Sequence, residues 1–544
     1  MPSIYHLGAP GALLLLALWG GTKLVAYAQR GPRSTKLNGP PSTSRILGLS
    51  RELVQTSDMS AVYEEWAARY GPRTRSLWPS GPRRLSSQIP SSFYLPQALA
   101  HFYQSERSVY VKTENDRLFI DKIFGRGIVW AEGDVHKRQR KALTPAFSNA
   151  AIRRLTSVFY DSTYKLKTLW DTMLETTDDG GIIEVQECLD SIGIAGFSHD
   201  FHYLDGQNSA VTAAFKALQI AETSFLSKLM FILSLTFPFL MNIPTPRMRL
   251  FWELRRSLNV IAERLYANTR SEKDGDVAEE LTDQSVMKAE VSDAEVYMTQ
   301  EEVVAQVWPR ILKLYGTTDA IYRWYEPTLY FDGVDLTGAF RMFSCWLIQD
   351  ELRKELAQFG SGDPTWDQLV SELPFLDAVV LEVLRVHPPI PETLREAIQD
   401  DIIPLGTPVV TPSGEVISSI AVAKGSAVLA PIRCINRSEA LWGPDAKEFK
   451  PERWVEVKKE MKLPAKELQG HHHLLTFHDG PRTCLGKSFA LAASAALSVL
   501  VRNFVFEFPD GPETQLETHM AIVPRPKVVG QTGAKVPLRV RRAE

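Results

Sequence analysis

The sequence predicts a mainly α protein with a small β portion, and three observations carry that prediction. Long stretches keep helical spacing of apolar residues, the segment Val409 to Ile432 alternates like strands, and one apolar run near the C-terminus is free of charge for 14 residues. The chain has 544 residues, 44% hydrophobic and 23% charged, with a formal net charge of -3. Such a balance describes a globular protein with a large core and gives no footprint for nucleic acid.

The N-terminus comes first. Leu7 to Ala28 is apolar with Lys23 as its only charge, and Arg30, Arg33 and Lys36 follow in a proline-rich stretch. A run of about 20 apolar residues can span a bilayer, and flanking basic residues favour the cytoplasmic side. We therefore expect a membrane anchor over 1–28, a basic, proline-rich linker over 29–48 and a single catalytic domain over 49–544. A cleaved signal peptide is the alternative, since Ala26 and Ala28 form a small-residue site, but the run has no Lys or Arg before it.

Ser50 to Tyr70 has helical spacing and stops at Gly71-Pro72. His136 to Leu143 reads as a basic helix ending before Thr144-Pro145, and Ala150 to Met173 as a longer one. The charged stretch Ser271 to Asp283 reads as a solvated loop. In Val409 to Ile432 the breaks at Pro412-Ser413-Gly414 and Lys424-Gly425 predict short strands and a hairpin, and most of the remaining chain is expected to be helical.

Within FLDAVVLEVLRVHPP, Leu376, Val379, Val380, Val383 and Leu384 line one helix face, which leaves Glu382 and Arg385 on the other. FKPERW then places Arg453 in a proline-bracketed loop. About thirty residues later, LLTFHDGPRTCLGKSFALA sets Cys484 at the mouth of a helix. The four cysteines, Cys188, Cys345, Cys434 and Cys484, lack the spacing of a disulfide framework or a zinc site, which leaves Cys484 available as a thiolate ligand or nucleophile. Free N-H groups of the helix that opens after Gly486 favour its thiolate form. After Lys487 the run SFALAASAALSVLV should be buried on all sides and anchor the loop.

The order E-x-x-R, F-x-P-E-R-W, F-x-x-G-x-R-x-C-x-G resembles the cytochrome P-450 family of haem-thiolate monooxygenases, over about residues 49 to 540. Phe477, Gly480, Arg482, Cys484 and Gly486 match every fixed position of its haem-binding motif. The resemblance implies the cytochrome P-450 fold and protoporphyrin haem held through Cys484. Phe477 would cover the sulfur, the two glycines would let the backbone pass close to the macrocycle, and Arg482 would face a propionate. It also implies a buried network in which Arg385 and Arg453 share Glu382. His136 and Arg140 stand where the family has W-x-x-x-R, and Arg395 resembles an arginine aimed at the other propionate. The activity implied is insertion of one oxygen atom from dioxygen into an apolar organic substrate. Electrons would come from NADPH through a partner reductase, with the chain at the endoplasmic reticulum membrane and its catalytic domain cytoplasmic. Lys137, Arg138, Lys141 and Lys487 would form a basic docking patch or a merely solvated face.

The central helix departs from the pattern. LYGTTDA, counted from a capping box at Thr299 to Glu302, offers Thr317 and Thr318 for proton delivery, with Gly316 in place of the acid and Leu314 in place of the glycine. DGVDLTGA keeps Gly333 and Asp335 but has Leu336 where a threonine belongs, and Pro309 and Pro327 should break or kink one straight helix. After Tyr70-Gly71-Pro72 the chain is poor in strand signal. GIIEVQECLDSIGIAGFSHDF resembles the next helices of the family. These departures keep two rival functions open: a haem-thiolate isomerase, dehydratase or peroxygenase, and a haem-binding relative without catalysis. His471 to His473 reads as a metal-binding run or an incidental loop.

Overall fold

A computed structural model of the chain describes residues 34, 35, 37, 39, 40, 59–70, 95–175, 180–184, 217, 240, 242–273, 298, 299, 301–303, 305, 306, 346–455, 465–492, 494–511, 514–520, 524–531 and 535–543. Its helices build one large core. Asn149–Leu174 is a long helix there, opened by Ser148, whose hydroxyl accepts from Ala151 N, and it buries Trp170 against Phe504 and Phe506 at centroid distances of 5.3 and 5.9 Å. Ser494–Asn503 lies in the same core with every residue from Ser494 to Val501 buried, as its charge-free sequence requires. Pro374–Val386 starts with proline in its first turn, and the Glu355 carboxylate accepts from Phe375 N and Leu376 N at 2.7 and 2.8 Å.

The β portion is divided between that core, which takes Ile183, Phe504 and Leu538, and a second one, which takes Tyr110, Ala397 and Ile420. Strands β1 (Tyr110–Val111), β3 (Thr393–Ala397) and β6 (Ala427–Ala430) form one antiparallel sheet with β3 central. Another sheet takes β2 (Gly181–Glu184), β10 (Pro537–Arg542) and β7 (Phe504–Glu507), with β10 central. Two hairpins complete the β portion: β4 (Asp401–Val410) with β5 (Val416–Val422), and β8 (Leu516–Met520) with β9 (Pro524–Val528). The β4–β5 turn sits at the expected Pro412-Ser413-Gly414 break, where Gly414 has φ 82°, and Gly425 with φ 84° separates β5 from β6.

Several expectations are corrected. Strand content runs well beyond Val409 to Ile432, because short edge strands such as β1 and β2 carry too few residues for alternation to show. GIIE, expected to begin a helix, is β2: its two β-branched isoleucines pair with Leu538 and Arg539 of β10. The helix Pro246–Lys273 carries Ser271, Glu272 and Lys273, so the first three residues of the stretch expected as a solvated loop are helical, and its remainder lies outside the described residues. The face of Pro374–Val386 opposite the apolar stripe is buried too, with Glu382 and Arg385 both at 0% exposure.

The apolar run Leu7 to Ala28 lies outside the described residues, and among those described no helix is long and apolar enough to cross a membrane. Within the stretch read as a linker, Thr35 N donates to Ala421 O at 3.0 Å and Ala421 N to Thr35 Oγ1 at 2.9 Å, so residues 34 and 35 run along β5.

Candidate active site

The Cys484 loop is built by short-range hydrogen bonds. Cys484 N donates to Phe477 O at 2.8 Å, and Thr483 closes a tight turn on Gly480 through its N-H at 3.1 Å and its hydroxyl at 2.8 Å. Gly480 has φ 63°, and a Cβ there would meet Tyr103 O at 2.6 Å, so the loop needs glycine both for its turn and for its approach to the Pro96–Ser105 helix. Ala490 N donates to Gly486 O at 2.9 Å where the helix Lys487–Ala492 opens. Phe477 is 2% exposed, whereas Cys484 is only partly buried. Cys434 is buried, and Cys188 and Cys345 lie outside the described residues.

Behind the loop, Glu382 accepts from Arg385 Nε and Nη2 at 2.8 and 2.7 Å, from Lys450 N at 2.9 Å and from Trp454 Nε1 at 2.9 Å. Arg453 Nε stands 3.7 Å from the same carboxylate, while its closer partners are Asp445 Oδ1 at 2.8 Å, Asp445 O at 2.9 Å and Trp442 O at 3.1 Å. The Arg453 guanidinium beside it lowers the pKa of Asp445. Arg385 reaches Asn436 O, Ala446 O and Glu448 O. Asn436 then carries the tie forward: its amide donates to Thr476 Oγ1 at 2.9 Å and its carbonyl accepts from Leu475 N at 3.2 Å, and Thr476 donates to Leu384 O. Trp454, Asp445, Asn436 and Thr476 escape a reading of the sequence. Only Trp454 had a signal, as the last letter of FKPERW.

Around the thiol stands a basic cluster. The helix Gly133–Leu143 supplies Arg140, whose Nη1 donates to Thr483 O at 2.7 Å beside Cys484, and the buried His136. Burial, with Lys112, Arg140, Arg107 and Arg395 nearby, pushes His136 down to about 4 and keeps its ring neutral at pH 7. Arg395 on β3 pairs with Glu106 at 2.8 Å. Arg482 pairs with Glu132 and donates to Ala131 O at 3.3 Å, and Lys112 also bonds Glu132 through its N-H and Nζ. Of these residues Arg107, Lys112, Arg140, Arg395 and Arg482 are cations and Glu106 and Glu132 carboxylates, so positive charge is in excess near the thiol. An anionic ligand bound through the sulfur suits that excess.

Other expected features fall elsewhere. Thr299 N donates to Glu302 Oε2 and Glu302 N to Thr299 Oγ1, which is the capping box. Thr317 and Thr318, like Gly333 and Asp335, lie outside the described residues. In the basic patch Arg138 is held by Glu302 at 2.5 and 2.8 Å, whereas Lys137 and Lys141 are exposed. Lys487 Nζ lies 3.4 Å from His471 Nδ1. His471 packs edge-on to Phe477, His473 Nδ1 lies 2.7 Å from Leu468 O, and no cluster of three or more His, Cys, Asp or Glu side chains that could hold a metal ion occurs among the described residues.

Comparison with known proteins places this arrangement. The sequence profile of the family Cytochrome P-450 matches residues 84–318 and 346–529, leaving out 319–345, which hold DGVDLTGA and Pro327. The chain is 49% identical to the cytochrome P-450 monooxygenase claQ of Ampulloclitocybe clavipes over the full length of both, and 48% identical to claP of the same fungus, again over both full lengths. It is 32% identical to cytochrome P-450 monooxygenase 128 of Postia placenta, over 93% of this chain and 92% of that one. Members of the family bind haem through an axial cysteine thiolate, and the negatively charged propionates of haem suit the excess of positive charge around Cys484. With the profile covering most of the chain and identity near one half from end to end, this protein belongs to the cytochrome P-450 family and is an oxidoreductase of the monooxygenase kind.

Proposed function

We propose that the protein inserts one oxygen atom from dioxygen into an apolar organic substrate, with electrons from NADPH delivered by a separate reductase. The observation that supports this best is the Cys484 loop, closed by the Cys484 N to Phe477 O bond and ringed by Arg140, His136, Arg395 and Arg482. Cys484 serves as the metal ligand. When bound, haem supplies dioxygen activation, and a thiolate ligand favours O-O cleavage. Phe477 shields the sulfur from water, and Gly480 and Gly486 let the backbone pass close by. Arg482, Arg140, Arg395 and neutral His136 would donate hydrogen bonds to the propionates of bound haem. Glu382, Arg385 and Arg453 hold the segment behind the loop in place. Thr317 and Thr318 of LYGTTDA pass protons toward the site.

Residues 1–28 anchor the chain in the endoplasmic reticulum membrane, 29–48 link the anchor to the catalytic domain, and that domain faces the cytoplasm. A peroxide-driven, isomerase or dehydratase reaction is the second reading, favoured by Gly316 standing where the family places an acid.

The test is a reduced carbon monoxide difference spectrum of wild type and Cys484→Ala, followed by turnover with a reductase and NADPH. A red-shifted thiolate-type Soret band, lost in the variant, is expected. Its absence from wild type would overturn the haem-thiolate site. Turnover with peroxide and none with NADPH would move the protein to the second reading.

A further inference from the structure

Two carboxylates stand among the cations of the site, and neither belongs to the motif around Cys484. Glu106 caps the C-terminus of the Pro96–Ser105 helix, its N-H donating to Tyr103 O at 3.3 Å, and its side chain is 0% exposed. There it accepts from Arg395 Nε at 2.8 Å, with Arg395 only 3% exposed. Arg482 reaches the same residue from the cysteine loop: its Nε lies 3.5 Å from Glu106 O, and the carboxylate's charge offsets part of the cost of burying that guanidinium. The junction has no slack, because Gly480 abuts Tyr103 O. Glu132 stands on the far side of Arg482, bonded also to Lys112.

A buried ion pair is weak support for a fold, since apolar residues of similar volume often serve as well. The local fold here does not depend on it. Backbone pairing to β1 and β6 already fixes β3, which carries Arg395. The Glu106 carboxylate therefore has its clearest use in what it does to Arg395 and to the charge of the site.

We propose that Glu106 is a positioning residue for the cofactor: it holds Arg395 toward a propionate and supplies a buried negative charge that opposes reduction of the iron. This rests on the reading that Cys484 ligates haem. Charge and position are separable. Glu106→Gln keeps an oxygen for Arg395 Nε and removes the charge, whereas Glu106→Asp keeps the charge and draws it back by one methylene.

The experiment uses full-length, haem-loaded wild type, Glu106→Gln and Glu106→Asp. It measures the reduced carbon monoxide spectrum, the midpoint potential, and the rate of haem loss to an excess of apomyoglobin. All three proteins should keep the thiolate-type Soret band. The Gln variant should shift the reduction equilibrium about tenfold toward ferrous, about 59 mV for one electron, because a buried anion is poorly screened. The Asp variant should keep the wild-type potential and lose haem several-fold faster. An unmoved potential in the Gln variant, or an equal shift in both, would overturn the charge role. Wild-type haem loss in the Asp variant would overturn the positioning role. If the Gln variant does not load haem, an Asp variant with shifted potential or unchanged haem loss still overturns the proposal. A missing thiolate band in wild type would instead defeat the Cys484 reading.

Discussion

Glu382 satisfies its buried carboxylate with four hydrogen-bond donors, two of them from Arg385, and Arg453 stands just beyond. Because Arg385 is fully buried, Glu382→Gln strands a cation that has no route to water. The expected loss is about 3–5 kcal/mol of stability, read as a lower denaturation midpoint. A loss under about 1 kcal/mol, the scale of an exposed pair, would show that the network is dispensable. The sequence named Glu382, Arg385 and Arg453 through the resemblance. It could not rank the contacts, since Arg453 lies closer to Asp445 than to Glu382, a matter of how the loop folds back.

At the scale of elements, the helix Met59–Tyr70 is joined to the segment before β3 by Tyr63, whose hydroxyl donates to Glu392. Burial raises Glu392 from 4.5 to about 7 in spite of that bond. Between those values the Glu392 carboxyl binds more protons in the folded protein than in the unfolded chain, so its contribution to stability is full below about 4.5 and is lost as pH rises through 7. The fall attributable to this group is on the order of 3 kcal/mol. Wild type minus Glu392→Gln, measured from pH 5 to 8, should isolate that slope, and parallel curves would refute it. The sequence hides this coupling because Tyr63 and Glu392 lie far apart in the chain and share no motif. Helices were legible where apolar spacing held, as in Pro374–Val386 and Asn149–Leu174. Short strands were not, because β1 and β2 owe their conformation to partners hundreds of residues away.

For the whole molecule, the exposed Lys137 and Lys141 lie on the helix that carries Arg140 to the cysteine loop, so an acidic electron donor steered there would arrive beside the thiol. Arg138 contributes less, since Glu302 neutralises it, and the hydrogen bonds from Arg138 hold Glu302 down to about 2 against the opposing effect of burial. Lys137→Glu with Lys141→Glu should slow reduction by the reductase about tenfold at low salt, and the difference should shrink as ionic strength rises. A salt-independent effect, or none, would place the donor elsewhere.

By itself the sequence determined the family and the helical class and pointed to the proposed ligand, because Cys484 with its flanking glycines and arginine is a local pattern whose chemistry is complete within ten residues. Tertiary structure alone decided which charges meet around it. Glu106, Glu132 and Lys112 come from a stretch more than 300 residues away and carry no motif, yet they set the charge balance that Arg395 and Arg482 present. Electrostatic balance depends on distance and burial in space, and neither is written in local spacing.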